Sequence, residues 1–156
     1  MQYNNNKKND YEKDASNVIL AMLTMQVAIA GDVVTKDVNK LPASARETIK
    51  KHFPQTKISY IKIDKDLFKS TTYEATLTNG VEIDFDSKGE WMEVDCKKEA
   101  VPAAFIPASV SQYVKENFPG QRIVKFERGR KGYDAELANG LDVKFDVYGG
   151  FLKLDD

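Results

Sequence analysis

Cysteine, histidine and tryptophan each occur once in this chain of 156 residues, as Cys96, His52 and Trp91. A single thiol excludes both an intrachain disulfide framework and a paired-cysteine metal or redox motif, because each needs two sulfurs. A lone histidine, with no second one and no paired serine or cysteine nearby, leaves no constellation for nucleophilic or metal-assisted catalysis. An excess of one charge is missing too: 23 Lys and Arg stand against 24 Asp and Glu, a formal charge of −1. Nucleic acid is therefore not an expected partner, since phosphate contacts need a basic stripe that this chain lacks. Nor does any apolar run reach the ~20 residues that cross a bilayer, so stable membrane insertion of the mature chain is not expected.

Residues Met1 to Asn17 are polar and carry balanced charge, a composition that cannot bury apolar surface. From Val18 to Ala30 the chain turns apolar, with only Thr24 and Gln26 polar. This run has the length of a signal-peptide core, and Ala28-Ile29-Ala30 supplies small residues for cleavage before Gly31. The alternative is an N-terminal amphipathic helix packed on the domain. Export gives residues 1–30 as a removable leader and 31–156 as the mature domain, in the periplasm or secreted.

The remainder repeats itself. Leu41-Pro-Ala-Ser44 aligns with Ile106-Pro-Ala-Ser109, and Lys51-His-Phe-Pro54 with Glu116-Asn-Phe-Pro119, at an offset of 65. Tyr73 to Gly80 aligns with Tyr133 to Gly140, and Phe85-Asp86 and Gly89 with Phe145-Asp146 and Gly149, at an offset of 60. The extra residues of the first copy fall in Asp64 to Ser70, opposite Gly129-Arg-Lys-Gly132, where a hairpin tolerates length change. The copies are 41–96 and 106–156, joined by 97–105.

Each copy opens with a short helix, with Pro42 or Pro107 in its first turn and Pro54 or Pro119 ending it. Ala45, Ile49 and Phe53, like Val110, Val114 and Phe118, recur at helical spacing. Four strands follow in each copy: 58–63, 72–78, 81–86 and 90–95, then 122–127, 133–138, 141–146 and 151–155. Asn79-Gly80 and Asn139-Gly140 signal type I′ hairpins, and Gly89 and Gly149 a left-handed turn position. Alternation in Val81 to Asp86 and Leu141 to Asp146 covers one face and wets the other. The fold class is α+β: two helix-plus-meander units in one curved antiparallel sheet, with helices on one face.

Four segments, LPASARETIKKHFPQTKISY (41–60), YEATLTNGVEIDFDSKGEWMEVD (73–95), IPASVSQYVKENFPGQRIVKFE (106–127) and YDAELANGLDVKFDVYGGFLKLDD (133–156), resemble the PepSY-like family of exported bacterial proteins. The resemblance covers about Leu41 to Asp156. It implies a fold like that of the β-lactamase inhibitor protein and an extracytoplasmic binding or inhibitory role. It carries no catalytic residue.

His52 reads as a surface residue at a helix C-terminus, where a cation is favoured, and Cys96 as a small buried residue where the two copies join, the alternative in an exported protein being a thiol that pairs between chains or reacts. Asp84 to Asp95 has the length of a calcium loop, but Lys88 stands where a ligand oxygen is needed, so a hairpin turn is the better reading and no metal or other cofactor is expected. Glu82, Asp84 and Asp86 fall on the solvent face as ordinary surface acids. In the last strand of each copy, alternation sends Met92 and Val94, or Leu152 and Leu154, to the core. Trp91 and Phe151 then stand on the open face as interface anchors, extended by Tyr148 and Phe68. Alternatively, Trp91 and Phe151 sit at the sheet margin and fold back on the connector or the N-terminal segment. The expected function is a noncatalytic module binding an envelope or secreted protein, a peptidase inhibitor being one form of it; the alternative is a small-ligand binder using the concave sheet.

Overall fold

Strands that follow one another through tight turns pair as neighbours, and here that rule is obeyed throughout. In the computed structural model, which describes residues 31–65 and 69–155, nine antiparallel strands lie in strict chain order in one open sheet. They are β1 (Val33–Thr35), β2 (Ile58–Asp64), β3 (Thr72–Leu77), β4 (Glu82–Phe85), β5 (Trp91–Asp95), β6 (Ile123–Gly129), β7 (Gly132–Leu137), β8 (Asp142–Phe145) and β9 (Phe151–Asp155). Two helices, α1 (Ala43–His52) and α2 (Ala108–Asn117), precede β2 and β6. The expected leader lies outside the described residues, as does Phe68. No helix among the described residues is long and apolar enough to cross a membrane.

β1 is an addition to the expected strands. Val33, Val34 and Thr35 pair with Ile63, Lys62 and Ile61, and three residues are too few to carry a visible alternation.

The register explains the core. Ile61, Ala75, Ile83, Val94, Phe126, Ala135, Val143 and Leu154 stand opposite one another across eight strands. Ala45 and Ile49 of α1 and Val110 and Val114 of α2 join the same buried cluster, with Leu41, Phe85, Phe105, Leu137 and Phe145. Burying side chains of this size stabilises the fold by ~1.5–3 kcal/mol each. Pro42 and Pro107 stand at the cap positions just before the helices, not within the first turn, with extended ψ of 147° and 143°. Each helix start is tied to a strand turn: Ser44 Oγ donates to the Lys88 carbonyl at 2.7 Å and Ser109 Oγ to that of Tyr148 at 3.3 Å.

The hairpins differ from the expected type. Leu77 N–H donates to Val81 O and Gly80 N–H to Leu77 O, and Leu137, Leu141 and Gly140 do the same. Only the glycine takes positive φ, +87° at Gly80 and +85° at Gly140. These are three-residue loops, a type I turn followed by a left-handed glycine, rather than two-residue type I′ turns. Asp86 to Gly89 closes in the same way.

Alanine substitutions at glycine should rank by what a Cβ meets. At Gly80 nothing lies within 4 Å, at Gly89 the Ser44 and Pro42 side chains are in the way, and at Gly132 the backbone of Phe145 and Asp146 is. Thermal or urea melts should show losses of about 1 kcal/mol for Gly80→Ala, more for Gly89→Ala, and ~3 kcal/mol or more for Gly132→Ala.

Candidate functional site

Two continuous rows of mostly charged residues run along the face away from the apolar row. One reads Lys62, Glu74, Asp84, Glu93, Glu127, Asp134, Lys144 and Lys153; the other Thr76, Glu82, Asp95, Lys125, Glu136, Asp142 and Asp155. Together they place ten carboxylates against four lysines, and none of these fourteen side chains is buried. The near-neutral chain therefore has a markedly acidic sheet face.

Lysines neutralise part of it. Lys125 bridges Glu93 at 2.9 Å, Lys144 bridges Asp134 at 2.9 Å, and Lys97 from the connector bridges both Glu82 at 2.6 Å and Asp95 at 2.7 Å. The two carboxylates beside Lys97 raise its pKa. Asp84 has no ion pair among the described residues. Burial, then Glu93 and Glu74 against the weaker help of Lys125, lifts its pKa to about 6. Beside this face, a depression of about 610 Å³ is bordered by Asp84, Met92, Glu93, Glu127 and Arg130, and another of about 420 Å³ by Glu127, Arg130, Asp134, Lys144 and Leu152. Both are open and shallow and mix charged side chains with apolar ones, Trp91 and Met92 in the first and Tyr133, Phe145 and Leu152 in the second, a form that suits a protein surface better than an enclosed small molecule.

The aromatics lie elsewhere than strict alternation places them. A register shift between Asp84 and Phe85 puts Trp91 opposite Phe85, and a second between Lys144 and Phe145 puts Phe151 opposite Phe145. Each bulge adds one residue and reverses the side-chain phase before it. Trp91 and Phe151 thus stand on the helix side, opposite Phe85 and Phe145, while Met92 and Leu152, expected in the core, border the depressions, the first of which Trp91 also reaches. Trp91 packs edge-on against Phe105 of the connector at 5.2 Å, and the Arg128 guanidinium lies 4.3 Å over its ring while donating to its carbonyl at 2.7 Å. Phe151 stacks on Tyr113 of α2 at 4.8 Å, yet stays 42% exposed. Tyr148, in the last hairpin, is 88% exposed.

The remaining candidates are structural in their surroundings. The His52 ring lies 4.7 Å from Phe105, and burial, then Lys51, lowers its pKa. The ring is partly exposed and packs on the connector, so burial there works against the cation favoured at a helix end. Cys96 is buried and free, and its thiol is pushed up to about 11 by burial and then Asp95. Asp86 Oδ1 accepts from the N–H groups of Lys88 at 2.8 Å and Glu90 at 2.9 Å, so this carboxylate closes the hairpin. Among the described residues no group of three His, Cys, Asp or Glu is placed to hold a metal ion.

Residues 71–153 match the family model described as "Putative beta-lactamase-inhibitor-like, PepSY-like". The chain belongs to the PepSY-like family. This PepSY-like chain is 60% identical to a crystal structure of a "putative periplasmic protein of unknown function" from Bacteroides vulgatus, covering 81% of this chain and all of that one, with a TM-score of 0.78. A "putative calcium-regulated periplasmic protein" from Bacteroides thetaiotaomicron is 38% identical over 80% of this chain and 97% of its own, with a TM-score of 0.75. A second Bacteroides vulgatus structure, of a "putative periplasmic protein" from the DUF2874 family, is likewise 38% identical over the same shares, with a TM-score of 0.74. A comparison with curated proteins finds no match.

Two measurements follow from this geometry. Trp91→Ala should lower unfolding free energy by ~2–4 kcal/mol and Phe151→Ala by only ~1, because one ring is packed on three sides and the other half open. The Asp84 pKa, raised above the unfolded value, means that the folded state takes up more protons than the unfolded chain between about pH 4 and 6. The Asp84 contribution to stability is full below that window and lost as pH rises through it. Asp84→Asn should therefore be more stable than the parent at pH 7 by about 1 kcal/mol after solvent screening, with the difference vanishing near pH 4 in urea titrations.

Proposed function

We propose that this PepSY-like protein is a noncatalytic, extracytoplasmic module that binds another protein through the open face of its sheet. The observation that carries the reading is the excess of carboxylates over lysines on that face. A face used only for solubility needs mixed charge, whereas an acidic field steers and orients a basic partner surface. Met92 and Leu152, brought out by the bulges, add apolar contacts beside it. The noncatalytic part rests on a thiol pushed far above neutrality and a histidine packed on a phenylalanine. Neither is placed as a nucleophile or base.

Periplasmic location is supported by the three similar Bacteroides structures, each described as a periplasmic protein. Export would use the apolar run from Val18 to Ala30 as leader. We also read the chain as two copies of one helix-plus-four-strand unit, because the strand irregularities after Asp84 and Lys144, and at Ile58 and Ile123, fall at matching places. A partner of the inhibited-peptidase kind, with a basic rim around its cleft, fits the acidic face.

The test is capture from envelope and secreted fractions of the source bacterium on the immobilised protein, with Glu93→Lys/Glu127→Lys as control. A protein held by the parent, released by salt and lost with the folded double variant supports the reading. Retention that is indifferent to the charge reversal refutes open-face docking.

A further inference from the structure

The apolar row across the sheet ends abruptly. Ile61, Ala75, Ile83, Val94, Phe126, Ala135 and Val143 are all fully buried, and the last member, Leu154 of β9, is 45% exposed. β9 is an edge strand, and no described strand pairs with its outer side. Such an edge offers unpaired backbone donors and acceptors to a further strand.

β5 shows what a strand of this kind takes on that side. Val94 faces Ile83 as Leu154 faces Val143, and the bulge that follows Asp84 recurs after Lys144. On its other side β5 receives β6, with Asp95 opposite Lys125, Val94 opposite Phe126 and Glu93 opposite Glu127. What β6 presents is thus Lys125-Phe126-Glu127: lysine, apolar residue, acid. β9 itself reads Lys153-Leu154-Asp155, the same order.

We infer that β9 is a self-pairing edge, joined antiparallel to β9 of a second copy with Leu154 opposite Leu154 and Lys153 opposite Asp155 at both ends. This register improves on the internal seam, where Glu93 faces Glu127. Lys153 and Asp155 bridge each other at 2.7 Å within the chain, and the same pair exchanges across the two-fold axis at little cost. A slip that centres the pairing on Lys153 sets Leu152 opposite Leu154 but lysine against lysine, so charge pairing favours the register centred on Leu154. Pairing β9 with β1 of another copy would leave one β9 and one β1 edge that can pair again and propagate, whereas β9 on β9 uses both β9 edges and closes as a two-fold dimer. The dimer continues the sheet sideways and leaves the open face uncovered, so it stands independently of the docking reading.

Sedimentation analysis of the full chain up to about 100 µM tests this, with melting curves to establish folding. The parent should associate as a dimer. Lys153→Asp and Asp155→Lys should each weaken association about tenfold or more by setting like charges opposite each other. The double variant Lys153→Asp/Asp155→Lys restores opposite signs and should recover the dimer. A monomeric parent overturns the inference, as does a dimer that both single variants leave intact, or a folded double variant that stays monomeric. A parent that remains monomeric but binds a Lys-Leu-Asp strand peptide would give the edge to a different protein, which also overturns self-pairing.

Discussion

The seam between β5 and β6 is the interaction on which the rest of the structure depends. Every other strand pair joins segments linked by a short turn or, for β1 and β2, by one helix. This pair instead bridges a connector and a helix, 27 residues between Asp95 and Ile123, and it is the one seam that joins the first five strands to the last four, so its contacts decide whether the sheet is continuous. They are present: Val94 against fully buried Phe126, Trp91 against Phe105, and Arg128 clamped over the indole. The ladder continues into the connector, where Cys96 and Val101 donate to the carbonyls of Val124 and Ile123. Split here, the domain would fall into two pieces of a size that rarely buries enough surface to fold alone.

With the seam closed, one sheet carries two chemistries on its two faces. Antiparallel register lines up like with like across eight strands, so a residue type that recurs along one strand becomes a row across the sheet. Hydrophobic residues form the row under the helices, and carboxylates with a few lysines form the rows on the other side. A formal charge of −1 for the chain therefore conceals an acidic face, balanced by basic residues on the helices and hairpins such as Lys50, Lys51, Lys115, Arg130 and Lys131. Composition sums charge; only register places it.

Much of this was legible in the sequence because its signals are local. Ala45 and Ile49, Val110 and Val114 mark their buried stripes by spacing alone, and Val81 to Phe85 and Leu141 to Phe145 alternate cleanly. Gly89 and Gly149 mark left-handed positions, and their tight approach to Ser44 and Ser109 accounts for the repeated Pro-Ala-Ser motif. What escaped is whatever depends on a partner strand. The bulges that turn Trp91 and Phe151 toward the helices are properties of a pair of strands, and no pattern within 91–95 or 151–155 records them. The three residues of β1 have no period to read. The contact of His52 escaped for another reason: its helix-end position is local, but Phe105, against which its ring packs, lies 53 positions away.

The contrast between Trp91 and Phe151 isolates what one neighbouring strand does. Both rings follow the same kind of bulge, stand opposite a buried phenylalanine, and turn toward the helix layer. Trp91 is then enclosed, because β6 brings Phe126 and Arg128 and the connector brings Phe105. Phe151 stacks on Tyr113 but has no strand on its outer side among the described residues, and it remains 42% exposed, beside Leu154 at 45%. Helices cannot supply what is missing, since backbone hydrogen bonds lie in the plane of the sheet and the helices lie above it. Water can satisfy that edge, but a further strand would pair it and cover those side chains together. A sheet whose strands run in chain order leaves two such edges, and the one that ends in exposed leucines between complementary charges is β9.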